Sequence, residues 1–148
     1  MQTVIPNEIL LAETGRILAS GQDVELLARG SSMHPFIIGD RDSVILRKVS
    51  EKDIRSGDIL LAEVKKGRYV LHRAIRVDCG DVTLMGDGNL RGTELCGKDK
   101  VLGKVVRIVS PDGQTRTPGR AILWRKMGYL PRRVLLALYR RIVLKNVY

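Results

Sequence analysis

The stretch that decides the fold of this 148-residue chain is Gly30-Ser31-Ser32-Met33-His34-Pro35, with Gly39-Asp40 close behind it. Small hydroxyl residues lie here between a glycine and a methionine, and a proline ends the local pattern. A serine becomes a nucleophile at neutral pH only when a base takes its proton, and a neutral imidazole suits that task. Apart from His34, the sequence holds one histidine, His72, inside Tyr69-Val70-Leu71-His72-Arg73-Ala74-Ile75. A serine-rich turn and a strand histidine together favour peptide-bond chemistry.

Four segments, taken in order, resemble the type I signal peptidase family and the self-cleaving repressors that share its catalytic domain. Residues 30–40 resemble the nucleophile box, and residues 56–61 resemble a Gly-Asp pair that leads into an apolar strand. Residues 69–75 resemble the box that carries the base, and residues 85–89 resemble the final Gly-Asp-x-Asn box. Residues 101–108 resemble the strand that closes the domain. The order and spacing of these segments carry the resemblance, which covers about half of the 148 residues.

Short apolar stretches separated by turn residues predict a mainly β protein with helices at both ends. Strands are predicted over residues 23–29, 43–49, 58–64, 69–77, 82–85 and 101–109. Apolar residues at helical spacing predict an N-terminal helix over residues 6–20, which Gly21 ends. The resemblance implies that residues 1–118 form a coiled β catalytic domain of the signal-peptidase type. Residues 114–119 are predicted as a linker, and residues 119–148 as a basic amphipathic tail of two helical pieces.

Positive charge is concentrated in that tail. Residues 119–148 contain eight basic residues and no acidic one, so they carry +8 of the formal net charge of +10. A basic segment with apolar residues at helical spacing suits an anionic membrane surface or an acidic partner. Nucleic acid is disfavoured because the tail lacks the separated aromatic platforms of single-strand binders. The alternative is that the apolar face packs on the body while the arginines lie in solvent.

The sequence holds no predicted transmembrane segment and no predicted secretory signal. The longest uncharged run of the tail, residues 134–139, is far shorter than the roughly 18 apolar residues that a span requires. Residues 1–6 contain no basic residue, and no long apolar stretch follows them. We therefore expect a cytoplasmic or peripheral membrane location. This departs from the resembled family, in which a transmembrane anchor normally precedes the nucleophile box.

Composition argues against a disulfide scaffold and against a metal enzyme. The two cysteines, Cys79 and Cys96, do not make a disulfide framework or a metal site. No cluster of histidine, cysteine and carboxylate residues has the spacing of zinc ligands. We expect neither a metal nor a cofactor.

Ser32 is the predicted nucleophile because it directly precedes the methionine. Its backbone N–H is expected to supply one oxyanion donor. The resemblance implies a second donor two residues earlier, a serine hydroxyl in many bacterial enzymes, but this chain has Gly30 there. The oxyanion hole would then depend on backbone N–H groups or on Ser31. Met33 either lines the small apolar pockets beside the scissile bond, as the resemblance implies, or packs in the core. The alternative for both serines is a hydrogen-bonded turn.

His72 is the predicted general base. Many bacterial members of the resembled family have lysine in this slot, whereas archaeal and eukaryotic-type members have histidine. A lysine must lose several pKa units before it can accept a proton, whereas a histidine in general needs almost no shift. The alternative is a strand histidine that satisfies a hydrogen bond in the core. His34 lies two residues from Ser32, too close in the chain for easy contact, and is expected to be a variable residue near the cleft.

Asp87 is the predicted carboxylate that orients the base, because a histidine base is strengthened when a carboxylate holds its other ring nitrogen. Gly86 and Gly88 would let the backbone bend close to the site. Histidine-type relatives have a further aspartate beyond this box, and Glu94 is the candidate substitute for it here. The alternative for Asp87 is a turn cap. Arg73, beside the base, is expected to hydrogen-bond backbone carbonyls.

These residues predict a serine endopeptidase of the signal-peptidase type. Ser32 and His72, assisted by Asp87, would cleave an extended peptide or preprotein that adds as a strand beside the cleft. One alternative is a regulatory peptidase that cleaves itself or a partner. Only about 20 residues precede the first predicted strand, too few for a helix-turn-helix domain, and the lysine base of those relatives is absent. A second alternative is a catalytically silent membrane-surface binding module.

Overall fold

The computed structural model describes residues 7–143, and the predictions made for residues 1–6 and 144–148 lie outside that range. The described residues form one antiparallel sheet of eight strands, with a helix before it and two helices after it. The strands are β1 (Val24–Leu27), β2 (Ser43–Arg47), β3 (Ile59–Lys65), β4 (Arg68–Val77), β5 (Asp81–Met85), β6 (Glu94–Gly97), β7 (Val101–Val109) and β8 (Thr115–Arg116). The helices are α1 (Asn7–Ala19), α2 (Ile122–Lys126) and α3 (Tyr129–Ile142). The prediction of a mainly β protein with helices at both ends is confirmed.

The long strand β7 lies in the middle of the sheet. The strand order is β1-β2-β7-β3-β4-β5-β6, and β8 also pairs with β7. β2 pairs with β7 along one side, while β3 and β8 pair with it along the other. This order leaves β1 and β6 at the two edges of the sheet.

The β3–β4 hairpin sets which face each residue of β4 lies on. Gly67 takes a φ of +78° in its turn, a left-handed conformation that glycine adopts without strain. The register pairs Leu60 with His72 and Ile59 with Arg73. Because successive strand residues point to opposite faces, His72 and Arg73 lie on different sides of the sheet.

Each face of the sheet carries its own cluster of buried apolar residues. The first is covered by α1 and includes Leu18, Val44, Leu46, Ile59, Leu61 and Ile108. The second includes Leu60, Ala62, Ala74, Val82 and Leu84. Residues of β3 alternate between the two clusters, which explains why Ile59-Leu60-Leu61-Ala62 is buried throughout.

Two strands were not predicted. β6 has only four residues and contains both Cys96 and a glycine, so the sequence gives no alternating signal there. β8 has two residues and lies inside the predicted linker. Near the C-terminus the predicted pair of helical pieces is confirmed, although Pro131 lies within the first turn of α3, where its missing N–H costs no helical hydrogen bond. None of the helices in residues 7–143 combines the length and apolar character that crossing a bilayer requires.

Candidate active site

Ser32 lies in a loop that leaves β1 and returns to β2. Two backbone hydrogen bonds close the base of this loop, from the Ala28 N–H to the Asp42 carbonyl (2.9 Å) and from the Asp40 N–H to the Ala28 carbonyl (2.7 Å). Gly30 has a φ of +74°. A Cβ atom on Gly39 would lie 1.8 Å from the Gly30 carbonyl oxygen, so no other residue fits there. These glycines let the two ends of the loop cross closely.

Asp42 anchors the far end of the loop. Its buried carboxylate accepts hydrogen bonds from the Ile38 N–H (3.0 Å), from Arg41 Nε (3.1 Å) and from Arg116 (3.2 Å). Burial acts to raise the pKa of Asp42, but these hydrogen bonds outweigh it and the pKa lies below its ordinary value. Arg116 also donates to the Phe36 carbonyl (2.9 Å). Arg116 of the short strand β8 thus fixes the loop that contains Ser32.

The segment after β5 packs directly against the predicted nucleophile. The Gly88 N–H donates a hydrogen bond to the Ser32 carbonyl (2.8 Å). A Cβ atom on Gly86 would lie 2.4 Å from that same carbonyl oxygen, and one on Gly88 would lie 2.4 Å from the Ser31 carbonyl oxygen. The two glycines are therefore required by the close approach of two backbones.

Ser32 and His72 both line one cavity of about 460 Å³. Gly30 and Met33 line it too, whereas Ser31 and Asp87 lie outside its lining. The walls are residues 25–30 on one side and residues 68–72 on the other, and Leu10 and Leu11 of α1 contribute to them. Met33 is also a member of the first apolar cluster, so it both packs in the core and lines the cavity.

The carboxylate that contacts His72 is Glu94. His72 Nδ1 lies 2.9 Å from Glu94 Oε2, and the two side chains are 8% and 19% exposed. Sheet register explains the contact, since Ala74 pairs with Leu84 and Leu84 pairs with Glu94, all on the face of His72. A carboxylate at Nδ1 favours the neutral tautomer with its proton on that nitrogen, which leaves Nε2 as a proton acceptor.

The side chain of Asp87 contacts Arg73 and not His72. Arg73 donates to its carboxylate from Nε (2.8 Å) and from Nη2 (2.7 Å). Burial raises the pKa of the Asp87 carboxyl, and the hydrogen bonds from Arg73 oppose that rise. The structure thus places the Asp87 carboxylate against the Arg73 guanidinium, and the predicted hydrogen bond from the His72 imidazole goes to Glu94 instead. Arg73 also donates to the carbonyls of Gly57 (2.9 Å) and Gly119 (3.0 Å).

Helix α2 packs over the buried Arg73–Asp87 pair through Trp124. Trp124 Nε1 donates to the Asp87 carbonyl (2.9 Å), and its ring meets Phe36 edge-on at 5.9 Å between centroids. The Arg73 guanidinium carbon lies 5.4 Å from the centre of the Phe36 ring. Sequence reasoning missed this role of Trp124. The signal was available, since a buried indole N–H needs an acceptor and this is the one tryptophan of the chain.

His34 is buried beneath α3 rather than at the cavity. His34 is 2% exposed, and neither of its ring nitrogens has a hydrogen-bond partner among residues 7–143. The ring centre lies 6.0 Å from that of Tyr139. Burial and the charge of Arg140 lower the pKa of His34, and Asp42 opposes them. The sequence predicted that His34 lies near the cleft, but it is buried and does not line the cavity.

The candidate site thus brings an alcohol to the same cavity as an imidazole backed by a carboxylate. Within the described part of the chain, no group of three histidine, cysteine or acidic side chains is arranged to hold a metal ion. No protein-family model matches the chain, and no curated protein matches it.

Proposed function

We propose that this chain is a serine endopeptidase of the signal-peptidase type, with Ser32 as the nucleophile and His72 as the general base. Glu94 takes the role of the orienting carboxylate. The observation that carries the proposal is the cavity shared by Ser32 and His72, with Glu94 Oε2 2.9 Å behind the imidazole. The coiled β fold of the resembled family belongs to the same proposal. Its support is the packing of the final Gly-Asp box against the nucleophile turn.

The reaction follows the roles of these groups. Ser32 Oγ attacks the scissile carbonyl carbon while His72 Nε2 takes the hydroxyl proton. The Ser32 backbone N–H donates to the oxyanion that forms, and Ser31 or another backbone N–H supplies the second donor. His72 then passes its proton to the leaving amine, which departs and leaves an acyl-enzyme. A water that gives its proton to His72 attacks this ester, and the imidazolium then returns a proton to Ser32 Oγ as the acid product leaves. Glu94 stabilises the imidazolium in both steps.

The shape of the cavity favours an extended peptide or preprotein as substrate. Its walls include the edge strand β1 with the residues that follow it to Gly30, and residues 68–72 of β4. An extended peptide can add its backbone hydrogen bonds to such a segment. Leu26, Met33 and Leu71 line the space between the walls, which suits small apolar side chains beside the scissile bond.

The test is cleavage of a synthetic peptide with small residues before the scissile bond, followed by mass spectrometry. Ser32→Ala and His72→Ala should each lower the cleavage rate by at least about 10⁴-fold, since the members of such a unit act together. Ser20→Ala, at the end of α1, is the matched control and should retain the full rate. Full activity in either site variant, with both correctly folded, would refute the assignment.

A further inference from the structure

We propose that α2 and α3 form a docking surface for an anionic lipid bilayer. The surface lies outside the cavity that Ser32 and His72 line, and the inference does not depend on the peptidase function. It commits to one occupant, the headgroup region of a membrane that contains acidic lipids.

An exposed apolar stripe runs along α3. Leu130, Val134, Leu138 and Ile142 recur at intervals of four, and their residues are 65%, 56%, 47% and 63% exposed. An interval of four returns nearly to the same side of a helix, so these side chains share one face. In α2, Ile122 and Leu123 extend the apolar surface at 52% and 79% exposure.

The stripe stays exposed although both helices are fixed to the body. Trp124 and Leu136 are 8% and 2% exposed, so each helix already buries another side chain. Arg140 donates to the Gly88 carbonyl (3.4 Å), and Tyr139 meets the ring of His34. The tail helices therefore have one face packed on the loops that hold His34 and Gly88 and another face turned to solvent.

Charge identifies the occupant. Residues 119–148 carry eight basic residues and no acidic one, and Arg133 and Arg141 are exposed beside the stripe. A basic amphipathic helix inserts its apolar side chains at the headgroup boundary while its arginines meet acidic lipids. A second copy of this chain would set arginines against arginines. A nucleic acid would pair the arginines but leave the leucines in water.

Sedimentation with phosphatidylcholine vesicles, with and without phosphatidylglycerol, tests the proposal at low and high salt. The full chain carries Ser32→Ala throughout, so that peptidase activity plays no part in the result. We expect binding to the vesicles that contain phosphatidylglycerol, and weaker binding at high salt because exposed charges are screened. No binding to these vesicles, or equal binding to both vesicle types at low salt, would overturn the proposal.

Matched variants separate the stripe from the charge. Leu130→Ser with Leu138→Ser should weaken vesicle binding at least about tenfold, since each leucine loses its apolar burial. Ile9→Ser with Leu95→Ser, at 61% and 64% exposure elsewhere on the molecule, should leave it unchanged. Arg133→Gln with Arg141→Gln should cost about fivefold for each arginine. Lys65→Gln with Lys66→Gln, in the β3–β4 turn, removes equal charge and should have no effect.

The stripe variants change exposed residues, and their thermal midpoints and circular dichroism show directly whether they fold. Unchanged vesicle binding by a folded Leu130→Ser, Leu138→Ser protein would contradict the proposal. So would a dimer that light scattering detects without vesicles and that this variant abolishes, since the occupant would then be a second copy. Tighter binding to a single-stranded oligonucleotide than to the acidic vesicles would also contradict it.

Discussion

His72 and Arg73 are neighbours in β4, and each meets a carboxylate from further along the chain. The His72–Glu94 pair reaches solvent, with side chains 8% and 19% exposed, and it borders the cavity. The Arg73–Asp87 pair is 0% and 3% exposed, and Trp124 lies over it. One step along the strand therefore separates a pair that borders the cavity from a pair enclosed in the protein.

The two pairs differ in burial more than in the kind of contact, since each joins a basic side chain to a carboxylate at 2.7–2.9 Å. A buried ion pair contributes little net stability compared with apolar residues, but removing one partner leaves an isolated charge at high cost. A base that must give and take a proton needs access to its substrate. The two pairs should accordingly respond to mutation in different measurements, one in catalysis and one in stability.

The largest expected effect is on catalysis. Glu94→Gln should lower the rate of peptide cleavage by about 10³–10⁴-fold, because the amide no longer favours the productive tautomer or stabilises the imidazolium. The free energy of unfolding should fall less than it does when the Arg73–Asp87 pair is broken, because the His72–Glu94 side chains are less completely buried. Steady-state cleavage and urea unfolding measure the two quantities, and Glu51→Gln, exposed on the surface, is the control. A normal rate in Glu94→Gln would end the distinction between the two pairs.

The next effect is on stability. Asp87→Ala should lower the free energy of unfolding by about 3–5 kcal/mol, because the Arg73 guanidinium is left buried without its carboxylate. Replacing both partners, as Arg73→Met with Asp87→Leu, should recover much of that loss. Urea unfolding gives these values. Asp78→Ala, which breaks the exposed pair with Arg76, is the control and should cost less than about 1 kcal/mol.

Activity per folded molecule decides whether Asp87 also serves the imidazole. We expect the rate to fall less in Asp87→Ala than in Glu94→Gln. A larger fall in Asp87→Ala, with normal stability, would restore Asp87 as the orienting carboxylate.

The smallest expected effect is on the pH dependence of stability, and it involves a third ionisable group, His34. Its pKa is lowered from 6.5 in the folded protein, so the unfolded state binds the proton first as the pH falls below 6.5. Stability should then decrease with falling pH, by up to about 1.4 kcal/mol per pH unit until the folded group also titrates. His34→Phe should lack this component.

Urea unfolding of wild type and His34→Phe, above and below pH 6.5, measures the difference. Arg140 and Asp42 are the charged groups whose fields reach His34. The pKa of Asp42 is lowered from 3.8, so its own contribution is lost only at more acid pH. Parallel stability curves for the two proteins would show that His34 is not held neutral.

Much of the framework could be predicted from the sequence because it depends on local signals. Short apolar stretches between turn residues predicted β2, β3, β4 and β7, and the order and spacing of the Gly-Asp boxes carried the resemblance that implied a shared site. The identity of the carboxylate at His72 could not be decided in this way. It depends on the register of β5 with β6, and β6 itself is too short to leave a pattern.

The role of the C-terminal helices was similarly beyond the sequence. Apolar residues at helical spacing predicted helices correctly, but several positions around α3 are apolar, and composition does not say which side meets the sheet. Trp124 is selected by the surface that Phe36 and Asp87 form, which exists only in the folded chain. Tertiary packing therefore resolved what periodicity left open.

The hydrogen bond from Gly88 to Ser32 has a consequence for the timing of synthesis. A ribosome-bound chain that has emerged only through the β3–β4 hairpin already contains the serine and the histidine. It still lacks Gly88, Glu94 and Arg116, which hold the serine's loop and the base in place. The arrangement of Ser32 thus waits for residues translated late, so under the proposed function an incomplete nascent chain would not yet hold the assembled site.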